Sequence, residues 1–69
     1  MNQSERKRQA ILNAAISEFL ANGFRGSSMD AISTRAEVSK RTVYNHFESK
    51  EALFQAIVME MFRYVQDEQ

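Results

Sequence analysis

The 69 residues contain no cysteine and no proline, and only two glycines. Without cysteine there is no disulfide framework and no thiolate-ligated metal site. A chain without proline and with so little glycine favours helices over a turn-rich β architecture. No apolar run approaches the roughly 18 residues of a membrane span. The charged start, Met1 to Arg8, has no apolar core of signal-peptide type behind it. A cytoplasmic protein with no membrane partner is the expectation. Features of an enzyme are scarce as well. There is one histidine, and Gly23-Phe24-Arg25-Gly26 lacks the Lys-Ser/Thr that follows in a phosphate-cradling loop. A single small domain has little room for a substrate pocket. No catalytic activity, cofactor or metal is expected.

What is present is an ordinary apolar content of 43%, enough for a folded core, with a net charge of zero. The zero conceals an asymmetry. Residues 1–50 carry eight of the nine Lys and Arg against five of the nine Asp and Glu, an excess of three positive charges. Residues 51–69 carry Arg63 against Glu51, Glu60, Asp67 and Glu68, an excess of three negative charges. For phosphate binding, a local basic face matters more than the total.

Punctuation by serine and glycine divides the chain into four helices, with no stretch of period-two alternation. Ser4 caps the first, over about 5–22, whose apolar face is Ile11, Leu12, Ala15, Ile16 and Phe19. Gly23 ends it. Ser28 caps a short second helix, about 29–36, with Asp30 in its first turn and Ile32 facing inward. Ser39 caps the third, about 40–47, and Ser49 the fourth, from Lys50 into the sixties.

Two short helices joined by a turn of three or four residues fit a helix-turn-helix. If Val43 and Phe47 form the inner side of the third helix, Arg41 and Asn45 point almost directly away from it. Thr42 then points partly away, Tyr44 and His46 lie on the flanks, and Lys40 stands at the exposed end. Arg suits bidentate contact with guanine and Asn with adenine. Thr, Tyr and His can donate to phosphate oxygens. Ser28 and Lys50, each at a helix start, are placed for phosphates. Arg6, Lys7 and Arg8 form a candidate mobile basic arm. Taken singly, each of these is an ordinary solvated side chain; only their combination points to DNA.

The stretches Ile11-Leu12-Asn13-Ala14-Ala15, Phe19 and Gly23-Phe24 resemble the first helix of the tetracycline-repressor (TetR) family. Ser28-Met29-Asp30-Ala31-Ile32 and Ala36 through Phe47 resemble its helix-turn-helix. Glu48-Ser49-Lys50-Glu51-Ala52-Leu53 resembles the opening of its fourth helix. The resemblance implies an all-α, homeodomain-like three-helix DNA-binding domain over 1–49. The fourth helix, 50–69, would connect it to a C-terminal domain, absent here, that dimerises and binds a small-molecule effector. On that view the 69 residues are a fragment. The resemblance also implies a repressor that binds a pseudo-palindromic operator in the major groove of double-stranded DNA as a homodimer. Residues at the positions of Lys40, Arg41, Thr42, Tyr44, His46 and Lys50 commonly touch DNA in that family, with Tyr44, His46 and Lys50 mainly on phosphates; Ser28 matches a helix-two start that often contacts the backbone, Asn45 sits where the family varies, which suits reading sequence, and Ser39 is expected to join this DNA-binding set. One departure is Glu37, where the family often has glycine; glutamate is strained there if the turn needs positive φ.

A competing expectation comes from the fourth helix. Leu53, Phe54, Ile57, Val58, Met61, Phe62, Tyr64 and Val65 spread over roughly 180° of its circumference, where a small core needs perhaps 100°. The surplus suits either an interface to a further domain or a helical protein-interaction module that ignores DNA.

Overall fold

The computed structural model describes residues 2–67, and these form four helices: α1 (Gln3–Asn22), α2 (Met29–Ala36), α3 (Lys40–His46) and α4 (Lys50–Asp67). No strand occurs among them. Helix α1 lies at the centre and packs against each of the other three.

The first helix begins earlier than expected. Asn2, not Ser4, is its N-cap: Asn2 Oδ1 accepts from the Glu5 amide at 2.8 Å. Asparagine caps as well as serine, and the earlier start completes further backbone bonds, such as Arg6 N–H to Asn2 O at 3.0 Å. Arg6, Lys7 and Arg8 therefore belong to a helix and are not a mobile arm. The Arg8 guanidinium sits 5.3 Å from the Phe47 ring centroid, and its Nη1 is 3.7 Å from Glu60.

At its other end α1 stops at Gly23, which has φ +76° and donates to Phe19 O at 2.8 Å. A side chain is ruled out at Gly26 too, because a Cβ there would collide with the Asn22 carbonyl. Ser27 is buried in the connector and donates to Gly23 O at 2.6 Å, with Glu18 O at 3.2 Å sharing the proton.

Ser28, Ser39 and Ser49 cap the remaining helices. Their hydroxyls accept from the amides of Ala31, Thr42 and Ala52 at 3.0–3.1 Å. Helix α2 closes in a Schellman arrangement: Glu37 N–H donates to Thr34 O, and Val38 N–H to Ser33 O, both at 3.1 Å. This requires Glu37 in the left-handed region, at φ +61°, ψ +39°, so the strain expected of glutamate there is realised. Helix α3 ends one residue short of the expected boundary. Phe47 is extended at φ −141°, which turns its ring into the core.

The core joins Ile11, Leu12 and Ala15 of α1 to Ile32 of α2, Val43 of α3, Phe47, and Leu53 and Ile57 of α4. Ile16 departs from expectation: it is 38% exposed, while Ala14 and Glu18 are buried. Ile11, Ala14, Ala15 and Glu18 define one face, and Ile16 lies roughly 150° around the helix from its middle. Among the described side chains of α4, the buried ones, Leu53 and Ile57, lie in its first half. From Val58 to Val65 every residue is exposed.

Candidate nucleic-acid interface

Helix α3 carries seven residues and buries one of them, Val43, while the following Phe47 adds the second anchor. Arg41 and Asn45, on the opposite side, are exposed. The periodicity argument thus places these side chains correctly. Thr42 is half-buried, and its Oγ1 lies 2.9 Å from Ser39 Oγ. Tyr44 is about half exposed. His46 is half-buried on the other flank, its ring 6.4 Å from that of Phe47.

Ser28 and Ser39 are both exposed and both accept an amide at a helix start. Accepting one bond leaves the Ser28 hydroxyl its own proton to donate, while Ser39 and Thr42 share a proton between their hydroxyls. Ser28, Ser39, Lys40, Arg41, Thr42, Tyr44, Asn45 and His46 are thereby gathered on the two helices and the turn between them.

Lys40 is exposed and paired. Its Nζ is 3.0 Å from Asp30 Oδ1. The hydrogen bond to that carboxylate, and then its charge, raise the Lys40 pKa above the ordinary 10.5. Both partners are largely in water, so the pair is readily exchanged for a phosphate.

Lys50 is placed differently from the expectation. Its ammonium faces the α1–α2 connector, where it donates to Phe24 O at 2.7 Å and Ser27 O at 3.0 Å, with Arg25 O at 3.5 Å. It also stands 4.5 Å from the Phe24 ring centroid.

Sequence reasoning missed the polar link beneath the interface. Glu18 is only 4% exposed and accepts from Arg35 Nε at 3.1 Å and Asn22 Nδ2 at 2.8 Å. Its position was a signal: Glu18 continues the spacing of Ile11, Ala14 and Ala15 along the buried face. Among the described residues no cluster of potential metal ligands occurs, and no helix is long and apolar enough to cross a membrane.

A short helix, a three-residue turn and a second short helix with its polar side outward define a helix-turn-helix protein. The comparisons give the family. The model of bacterial regulatory proteins of the tetR family matches residues 11–57, and the chain belongs to that family. The HTH-type transcriptional regulator UidR of Escherichia coli (strain K12) is 47% identical over 58 residues, which are 84% of this chain and 30% of UidR. The HTH-type transcriptional repressor DhaR of Mycobacterium sp. (strain GP1) is 42% identical over 55 residues, 80% of this chain and 28% of DhaR. A solved structure assigned to the TetR-family regulators, from Mesorhizobium loti MAFF303099, superposes with a TM-score of 0.88 at 42% identity. That superposition covers 97% of this chain and 33% of the other. The chain thus spans about a third of the length of the relatives it matches.

Proposed function

We propose that these residues are the DNA-reading part of a transcriptional regulator, acting as a repressor that occupies an operator. The observation that carries this reading is the division of α3: Val43 is fully buried, and Arg41 and Asn45 stand exposed on the other side. In the major groove, Arg41 reads a guanine edge and Asn45 an adenine edge. Ser28, Ser39, Thr42, Tyr44 and His46 hold the phosphate walls, joined by Lys40 once it exchanges Asp30 for DNA. The unit that reads DNA is 1–49, and 50–69 leads away from it.

Two further elements belong to the proposal. A pseudo-palindromic operator bound by a homodimer suits a reader of this size, since half-sites mirror a two-fold axis. On this reading the dimer contacts and the small-molecule effector site belong to a further domain, and the chain spans only 30% of UidR and 28% of DhaR. The exposed apolar side of α4, with Phe54, Val58, Met61 and Phe62, supports contact with such a part. Such a regulator works in the cytoplasm and carries out no catalysis.

Selection of bound duplexes from a random pool, followed by a salt series on the winners, tests the reading. A recovered symmetric motif with steep salt dependence supports it. Recovery of no motif, together with salt-insensitive or absent binding, would leave α4 as a protein-interaction surface and remove DNA as the partner.

A further inference from the structure

We propose that Asp30 is a specificity-determining residue that reads a cytosine: when Lys40 leaves it for a DNA phosphate, the freed carboxylate accepts from the N4 amino group of that base in the major groove. The inference rests on the DNA-reading role given above. The charged side chains of the helix-turn-helix, residues 28–46, are Asp30, Arg35, Glu37, Lys40 and Arg41. Arg35 is held by Glu18, and Glu37 lines a groove with Ala10 and Asn13 of α1. That leaves Asp30 as the acid beside Lys40 and Arg41. A carboxylate on a face that meets a polyanion weakens binding to any phosphate backbone, so its place there calls for a compensating contact.

Asp30 is the second residue of α2 and Lys40 the first of α3. Their 3.0 Å bond draws together the starts of the two helices. The start of a recognition helix is the part that contacts base edges. The hydroxyls of Ser33 and Thr34 donate to the Asp30 carbonyl at 2.7 and 3.1 Å, which helps to fix the backbone that carries the carboxylate. An ion pair broken on docking has to be replaced on both sides. Lys40 gains a phosphate. The carboxylate accepts and cannot donate, so it needs an N–H. Guanine and thymine present acceptors at the major-groove edge, and these repel it. Adenine offers N6 beside the N7 acceptor, whereas cytosine offers N4 with no acceptor next to it. Cytosine is therefore the base that Asp30 selects. At other bases the same acid is a penalty, so one residue both weakens indiscriminate binding and favours the site.

Duplexes are selected from a random pool by the full-length parent, Asp30→Ala and Lys40→Met, and single-base variants of the parent motif are then compared by competition gel shift. Asp30 is exposed and lies outside the core, so its substitution leaves the packing intact. The parent motif contains a cytosine whose replacement by guanine or thymine lowers affinity about tenfold. In Asp30→Ala that position becomes indifferent, the other positions keep their order, and affinity for a random duplex rises. In Lys40→Met the cytosine preference stays and the salt slope falls by about one. A loss of α2 stability would weaken binding to all sequences alike and would not erase the preference at one position. An Asp30→Ala motif identical to that of the parent would make Asp30 a mere counter-ion of Lys40 and overturn the proposal, with the DNA-reading role intact. Loss of the cytosine in Lys40→Met, whether or not Asp30→Ala keeps it, would also overturn it, because the determinant would then be Lys40 or the intact pair. If the parent selects no motif, the DNA-reading role itself fails and the cytosine assignment falls with it.

Discussion

Arg35 Nε donates to Glu18 Oε1 at 3.1 Å, joining α2 to α1 across seventeen residues of sequence. The two ends of this pair differ. The Glu18 side chain is 6% exposed and the Arg35 side chain 43%. The carboxylate is thus largely withdrawn from water and depends on Arg35 and Asn22, while the guanidinium keeps part of its hydration. A single partner lost from the buried side costs more than one lost from the surface. Arg35→Ala should lower the unfolding free energy by about 1–3 kcal/mol, because it strands a buried acceptor. Glu18→Gln, which keeps the shape and one acceptor, should cost less. Urea denaturation of the two variants checks the order. Equal, negligible effects would mean the link is dispensable.

The left-handed Glu37 makes a second prediction. A residue with a Cβ in that region costs roughly 1–2 kcal/mol relative to glycine, offset in part by the greater freedom of glycine in the unfolded chain. Glu37→Gly should therefore raise stability by up to about 1 kcal/mol. Glu37→Val, with its branched Cβ, should lower it. Thermal unfolding of the three proteins would show glycine above glutamate above valine.

Base reading and phosphate holding should separate on α3. Arg41→Ala is expected to cost about 1–3 kcal/mol on the selected site and to relax base choice at one position. Asn45→Ala should act likewise at a different position. Tyr44→Phe removes a single phosphate donor and should weaken binding to all sequences alike. Competition gel shifts with single-base variants of the site measure this. Uniform losses for all three variants would refute the assignment of Arg41 and Asn45 to base edges.

The Lys40–Asp30 pair yields a pH prediction with a definite sign. The bond to Asp30 raises the folded pKa of Lys40 above 10.5, so the stabilisation it supplies is complete below that value. It is lost only as the pH rises through the raised folded value. Stability near neutral pH should hence be indifferent to Lys40 titration, and Asp30→Asn should remove the alkaline contribution. The same substitution deletes a negative charge beside the interface and frees Lys40. Random-duplex affinity of Asp30→Asn should rise, most at low salt. A fall would mean that the pair orders Lys40 for DNA.

The candidate site was largely legible in the sequence because its logic is local. Val43 and Phe47 lie one turn apart, so burying them turns Arg41 and Asn45 outward whatever the rest of the molecule does. Ser28, Ser39 and Ser49 cap their helices by bonds that reach only three residues ahead. The bonds of Lys50 were not legible in this way, because its ammonium meets carbonyls 23 to 26 residues earlier in the chain. Ile16 was misjudged because periodicity gives a helix's apolar side but not how far its neighbours extend over it.

Residue order alone settled where three of the four helices begin and which side of α3 faces inward; the positive φ of Glu37 came from the structure. Caps, periodicity and backbone φ act over a few neighbouring residues, so they can be read along a line. The crossing of the helices decided the burial of Glu18 against Arg35, the seat of Arg8 over Phe47, the hold of Lys50 on the connector and the bare apolar flank of α4. Each depends on which distant surfaces meet, and the free energy of such a meeting resides in the pair and not in either partner.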